Sequence, residues 1–135
     1  MKVIFLSIIV YCLFLFTRDE ISNSTNLSFL IQKELYNTVK IDSVGNFYLV
    51  YLEKNDSVFK VLSKKERMSN CLSIKKGENY TLSLKSWFKP EEINLRLRMN
   101  GVKIEGDYII IERNNVVSDL FITDNLKGLC YISDN

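Results

Sequence analysis

The chain has 135 residues, 47% hydrophobic and 25% charged, the proportions of one ordinary globular domain rather than of a disordered chain. Its formal net charge is only +2 and it contains no histidine. That excludes an electrostatically driven nucleic-acid binder and every catalytic triad or zinc site that depends on an imidazole.

Met1 and Lys2 precede Val3–Phe16, an apolar run interrupted only by Ser7 and closed by Arg18, Asp19 and Glu20. The run suits the core of a signal peptide and is shorter than the ~20 residues a membrane-spanning helix needs. It is apolar all round, unlike a helix lying on a globular core. Residues 1–24 therefore read as a signal peptide, with Ser22 and Ser24 as the small residues before the cut. A short uncleaved anchor is the rival reading. Residues 25–135 form a single exported domain, bound for the periplasm, the cell envelope or the medium. Cys12 belongs to the leader, so Cys71 and Cys130 remain. An even pair in an exported domain reads as one disulfide, closing a loop of about 60 residues that the chain-entropy model values at about 4 kcal/mol. Two buried free thiols are the alternative.

In chain order, Asn26 reads as the cap of a short helix over 27–36, with Leu27, Leu30, Ile31 and Leu35 at helical spacing; the approach to the first strand is the other reading of the segment. From Val39 the period changes to two. FYLVYL at Phe47–Leu52, a turn at 54–57 and a second strand at 58–63 predict a β-hairpin. Within it, Val58, Lys60 and Leu62 face oppositely to Phe59 and Val61. Short strands come next, at 71–75 and from Tyr80 to Leu84, where Tyr80, Leu82 and Leu84 alternate with polar residues. Pro90 ends the next extended stretch. Ile93, Leu95, Leu97 and Met99 alternate again. Asn100-Gly101 then reads as a type I′ turn before Val102 and Ile104. A helix opening at Pro90-Glu91-Glu92 is the other reading of that stretch. Tyr108–Glu112 is predicted as a central strand, 116–121 as a helical turn or short strand, and 129–132 as the last strand. The expected fold is all-β, with one short N-terminal helix: a small antiparallel β-barrel or β-sandwich, an OB-like barrel among the options.

The chemistry-bearing residues are few. Two cysteines and no histidine make no metal site, and the isolated glycines form no phosphate loop. No cofactor is expected. Glu105, Asp107 and Glu112 are the acids from which a carboxylate-only glycan hydrolase would have to be built. The default reading makes them solvent-facing strand and turn acids. Lys60, Lys64, Lys65, Arg67, Lys75 and Lys76 crowd into one stretch whose only acid is Glu66. They read as a patch for an anionic partner, or else as a solvated edge whose lysines oppose aggregation. Trp87-Phe88, just before Pro90, is the candidate exposed aromatic edge. The expectation is a non-catalytic binding module whose partner is a protein or an anionic surface ligand. A membrane would be met only through an uncleaved N-terminus. An inhibitor or immunity-type protein blocking one enzyme is the alternative, and the glycan hydrolase the second.

Overall fold

The computed structural model describes residues 32–114 and 116–133, apart from the side chains of Ile93 and Arg96. The expected signal peptide, and residues 27–31 of the expected helix, lie outside the described residues. The fold is all-β, as expected. Its centre is a mixed sheet of β1 (Lys33–Val44), β2 (Phe47–Lys54), β3 (Ser57–Lys64), β5 (Asn79–Ser83), β6 (Lys85–Ser86) and β9 (Phe121–Ile122), in the order β5-β1-β2-β3-β9-β6. Its first and last strands, β5 and β6, are consecutive pieces of chain separated only by Leu84. The sheet therefore curls into a ring that the backbone itself completes. Counting β5 and β6 as one bent strand, the ring order and its parallel β3–β9 pairing are those of a five-stranded OB-like barrel. The pairing is antiparallel, as expected, except between β3 and β9 and at the isolated Val58–Val116 bridge, which are parallel.

Strand β1 makes the curl. Its first half pairs with β5, Lys33 opposite Ser83 through Asn37 opposite Asn79. Its second half pairs with β2, and the register shifts between Thr38 and Lys40. A bulge there bends the strand between its two partners. This corrects the helical reading from Lys33 onward: the leucine spacing lost to two pairing partners, and Leu35 is exposed. The β2–β3 hairpin forms in the predicted register around Asn55 and Asp56. Both turn residues have positive φ, 49° and 59°, as a type I′ turn requires.

The FYLVYL run is explained by burial on both faces. On the concave face, Val50, Leu52, Val61, Leu82, Tyr36 and Tyr80 form a core to which β1, β2, β3, β5 and β9 all contribute. On the convex face, Phe47, Leu49, Tyr51 and Leu62 pack under Ile104, Ile109 and Ile111. That cover is a second hairpin, β7 (Gly101–Ile104) and β8 (Asp107–Ile110). Its turn is Glu105-Gly106, with φ of 49° and 96°, so the predicted turn at Asn100-Gly101 is displaced by about one strand length. The expected strand over 93–99 is corrected to a 3-10 turn (Pro90–Glu92) and one helical turn (Ile93–Arg96). The Glu92 carboxylate accepts from the Lys89 N–H at 3.0 Å, a local cap that favours the helical turn. Strand β8 is not central. It belongs to a two-stranded sheet, and its Tyr108 and Ile110 side chains are exposed.

One end of the concave core is closed by β10 (Leu126–Lys127), β11 (Cys130–Tyr131) and β4 (Leu72–Ser73), in that order. Cys71 and Cys130 meet at disulfide distance, their Cα atoms 5.5 Å apart, across a sequence separation of 59. The Ile74 N–H donates to the Leu129 carbonyl at 2.7 Å, and Ser63 Oγ to the Gly128 carbonyl at 2.8 Å. The chain's C-terminal stretch is thereby fastened to the segment that comes after β3.

Cys71→Ser and Cys130→Ser should each lower stability by about 4 kcal/mol, equally, because each removes the same loop constraint. Denaturant titration of both variants checks this, and unequal losses would mean the thiols act separately. Thr38 is fully buried and its Oγ1 has no hydrogen-bond partner. Thr38→Val should therefore leave the midpoint of thermal unfolding unchanged or raise it, since it removes an unsatisfied hydroxyl at nearly constant shape.

Candidate functional site

The six cations predicted as one patch divide into two environments. Lys60 is not at the surface: it is only 2% exposed. It lies on the convex face of β3, in phase with Val58 and Leu62, which that face also buries. Its ammonium donates to the Ile110 carbonyl and to Glu112 Oε1, both at 2.9 Å. The same oxygen accepts from the Tyr51 hydroxyl at 2.9 Å. Lys60 Nζ lies 5.2 Å from the centre of the Tyr51 ring, and Lys40 Nζ lies 4.8 Å from it. A buried ammonium is tolerated because a carboxylate, a carbonyl and an aromatic ring replace its water.

This cluster clamps β8. The carbonyl of Ile110 is a strand-edge acceptor, and Lys60 occupies it where a neighbouring strand would otherwise pair. Burial opposes ionisation of Glu112, but the hydrogen bonds from Lys60 and Tyr51 and the charge of Lys60 outweigh it, so its pKa falls below the usual 4.5. Burial, then the hydrogen bond to Glu112, pushes the Tyr51 hydroxyl well above its ordinary range.

The other five cations lie on the stretch that leaves β3. All ten residues of Lys64–Ser73 are exposed, the longest such run among the described residues, and Lys75 and Lys76 continue it beyond buried Ile74. Lys64 pairs with Glu105 at 2.7 Å. Lys65 donates to the Gly45 carbonyl at 2.8 Å and sits 5.4 Å from the Tyr48 ring. Lys75 reaches Glu78 at 3.9 Å. Arg67 and Lys76 make no ion pair among the described residues.

Trp87 and Phe88 separate. Trp87 is 41% exposed, whereas Phe88 is 8% exposed and belongs to the convex-face core, which corrects its reading as part of an exposed edge. The Trp87 N–H donates to the Leu120 carbonyl, two strands from β3 and toward the β2–β3 turn. Lys64 and Lys65 lie at the opposite end of β3.

Of the three acids, Glu112 stands apart from the other two. Asp107 accepts from the Asn46 N–H at 2.8 Å at the turn end of the second hairpin, where Glu105 pairs with Lys64. Glu112 lies five residues along the chain from Asp107, beyond the end of β8, roughly 16 Å if extended. Glycosidic carboxyl pairs stand about 5–10 Å apart. Among the described residues, no group of three or more metal-ligating side chains comes together. Sequence reasoning missed Tyr51 and Lys40 as members of the Lys60–Glu112 cluster.

No protein-family model, curated protein or solved structure matches this chain. The OB-like likeness is one of strand order, and fold alone assigns no function.

The cluster has a titration signature. A carboxylate whose native pKa is depressed adds stability that is present above its unfolded pKa and is lost as pH falls through the native value. Glu112 should therefore help destabilise the fold progressively below about pH 4.5, the ordinary value. Glu112→Gln should flatten that acid limb and cost about 2–3 kcal/mol at neutral pH, at or just below the usual loss when a buried charge is stripped of its partner. Lys60→Met should cost less than Glu112→Gln, because the charge it leaves behind, on Glu112, is partly exposed to solvent. Chemical unfolding across pH reads both, and the reverse order would contradict the clamp.

Proposed function

We propose that the chain is an exported, non-catalytic binding module whose contact surface is the basic stretch 64–76 and whose partner is anionic. The observation that carries this reading is the exposure of Lys65, Arg67, Lys75 and Lys76 on the anchored chain on either side of Cys71. Five cations share residues 64–79 with two acids, Glu66 and Glu78, and Lys64 is paired with Glu105 from outside the stretch. Charge concentrated in this way steers an oppositely charged partner. The Cys71–Cys130 link supports the reading twice. It suits an oxidising compartment, and it fixes the stretch before any partner arrives, which lowers the ordering cost of binding.

The test uses heparin as the anionic probe. The full chain should be retained on a heparin column and released by salt. Arg67→Gln/Lys75→Gln/Lys76→Gln should elute at clearly lower salt. Lys89→Gln/Arg98→Gln/Lys103→Gln, which removes equal charge elsewhere, should elute close to the parent. Equal shifts in the two triple variants, or no retention of the parent, would overturn the proposal.

A further inference from the structure

We propose that the disulfide-clipped stretch 65–78 docks on the surface of an anionic phospholipid bilayer. The inference rests on the anionic-partner reading and names the partner. The cations are interleaved with exposed apolar side chains: Met68 is 43% exposed and Leu72 57% exposed. Single exposed apolar residues are ordinary. Here two of them flank Cys71, on the same exposed run as Lys65 and Arg67 and just ahead of Lys75 and Lys76. Apolar side chains beside lysines and arginines are what an interfacial binder presents. The former enter the boundary between head groups and acyl chains, and the latter meet lipid phosphates.

The backbone is arranged for this. The stretch is pinned where it begins, by the Lys65 N–H donating to the Asn46 carbonyl at 2.8 Å. It is pinned near its end by Ile74 on Leu129 at 2.7 Å and by the Gly77 N–H donating to the Thr38 carbonyl at 2.6 Å. Between these points the disulfide holds Cys71 against β11. The exposed residues are thus carried on anchored chain. A bilayer asks for charge and apolar tips without shape complementarity, and that is what the stretch offers. Glu66 and Glu78 are the acids facing it. Glu78 already accepts from the Tyr80 hydroxyl and lies near Lys75.

The test uses the full chain as Met68→Trp in a Trp87→Phe background, so that one indole reports from the stretch itself. Vesicles of phosphatidylcholine, with or without phosphatidylglycerol, carry brominated acyl chains as quenchers. The M68W indole should be quenched on the anionic vesicles, released by added salt, and little affected on neutral ones. Arg67→Gln/Lys75→Gln/Lys76→Gln should weaken partition roughly 100-fold, at about five-fold per basic residue. Absent quenching on anionic vesicles, or equal quenching on neutral ones, overturns the proposal. Heparin retention without quenching would leave the anionic-partner reading standing and remove the bilayer. Loss of both would remove the two together.

Discussion

The structure depends on one constraint: the β2–β3 hairpin is apolar on both faces and needs cover on both. Val50 and Leu52 face the concave core, while Leu49 and Tyr51 face the convex one. A sheet with only one buried face would leave half of FYLVYL in water. The bent β1 and the β5–β6 turn at Leu84 roll the sheet over the first face. The β7–β8 hairpin covers the second. That second cover has few main-chain ties of its own, because β7 and β8 pair only with each other. Lys60, Glu112 and Tyr51 supply a tie at one end. Asp107 on Asn46 and Glu105 on Lys64 supply another at the turn.

The turn-end tie explains two local choices. Gly45 has a φ of +48°, in the left-handed region that favours glycine. A Cβ at Gly45 would also overlap the Asp107 carboxylate. The β1–β2 turn is therefore shaped to receive the second hairpin. The chain leaving β3 is fastened to β11 and to the β1 backbone, and its residues Lys64–Ser73 are exposed. Its exposure is thus built in by anchoring at three points, which is why it is the best surface for a partner.

Two elements marked by turns or alternation were legible in the sequence. The β2–β3 hairpin announced itself through Asn55-Asp56 between two β-branched and aromatic runs, and β5 through Tyr80 and Leu82 alternating with Thr81. The Cys71–Cys130 pairing came from parity once the leader was set aside. The illegible elements depend on distant partners. Lys33–Tyr36 ends a stretch with helical leucine spacing, yet β5 recruits it as strand through residues from Tyr80 to Ser83, far along the chain. Leu95 and Leu97 alternate like a strand but have no strand to pair with, and the Glu92 cap turns the chain instead. At the candidate site, the phase of Val58, Lys60 and Leu62 already put Lys60 on one face of β3. The sequence did not reveal that a second hairpin would cover that face. Composition grouped Lys60 with its exposed neighbours, while burial and Glu112 separate it from them.

The most direct measurement of the central claim is native-state hydrogen exchange along the described strands. Strand β2 lies between β1 and β3, so its amides at Leu49–Leu52 should exchange only through global unfolding, at the free energy that denaturant titration gives. The Ile111 amide, bonded to the Asn100 carbonyl, should exchange through a smaller opening in which the β7–β8 cover lifts and the ring persists. Equal protection of the two sets would mean that the cover and the ring are one cooperative unit. Weaker protection of β2 than of Ile111 would contradict the claim that the doubly buried hairpin holds the fold together.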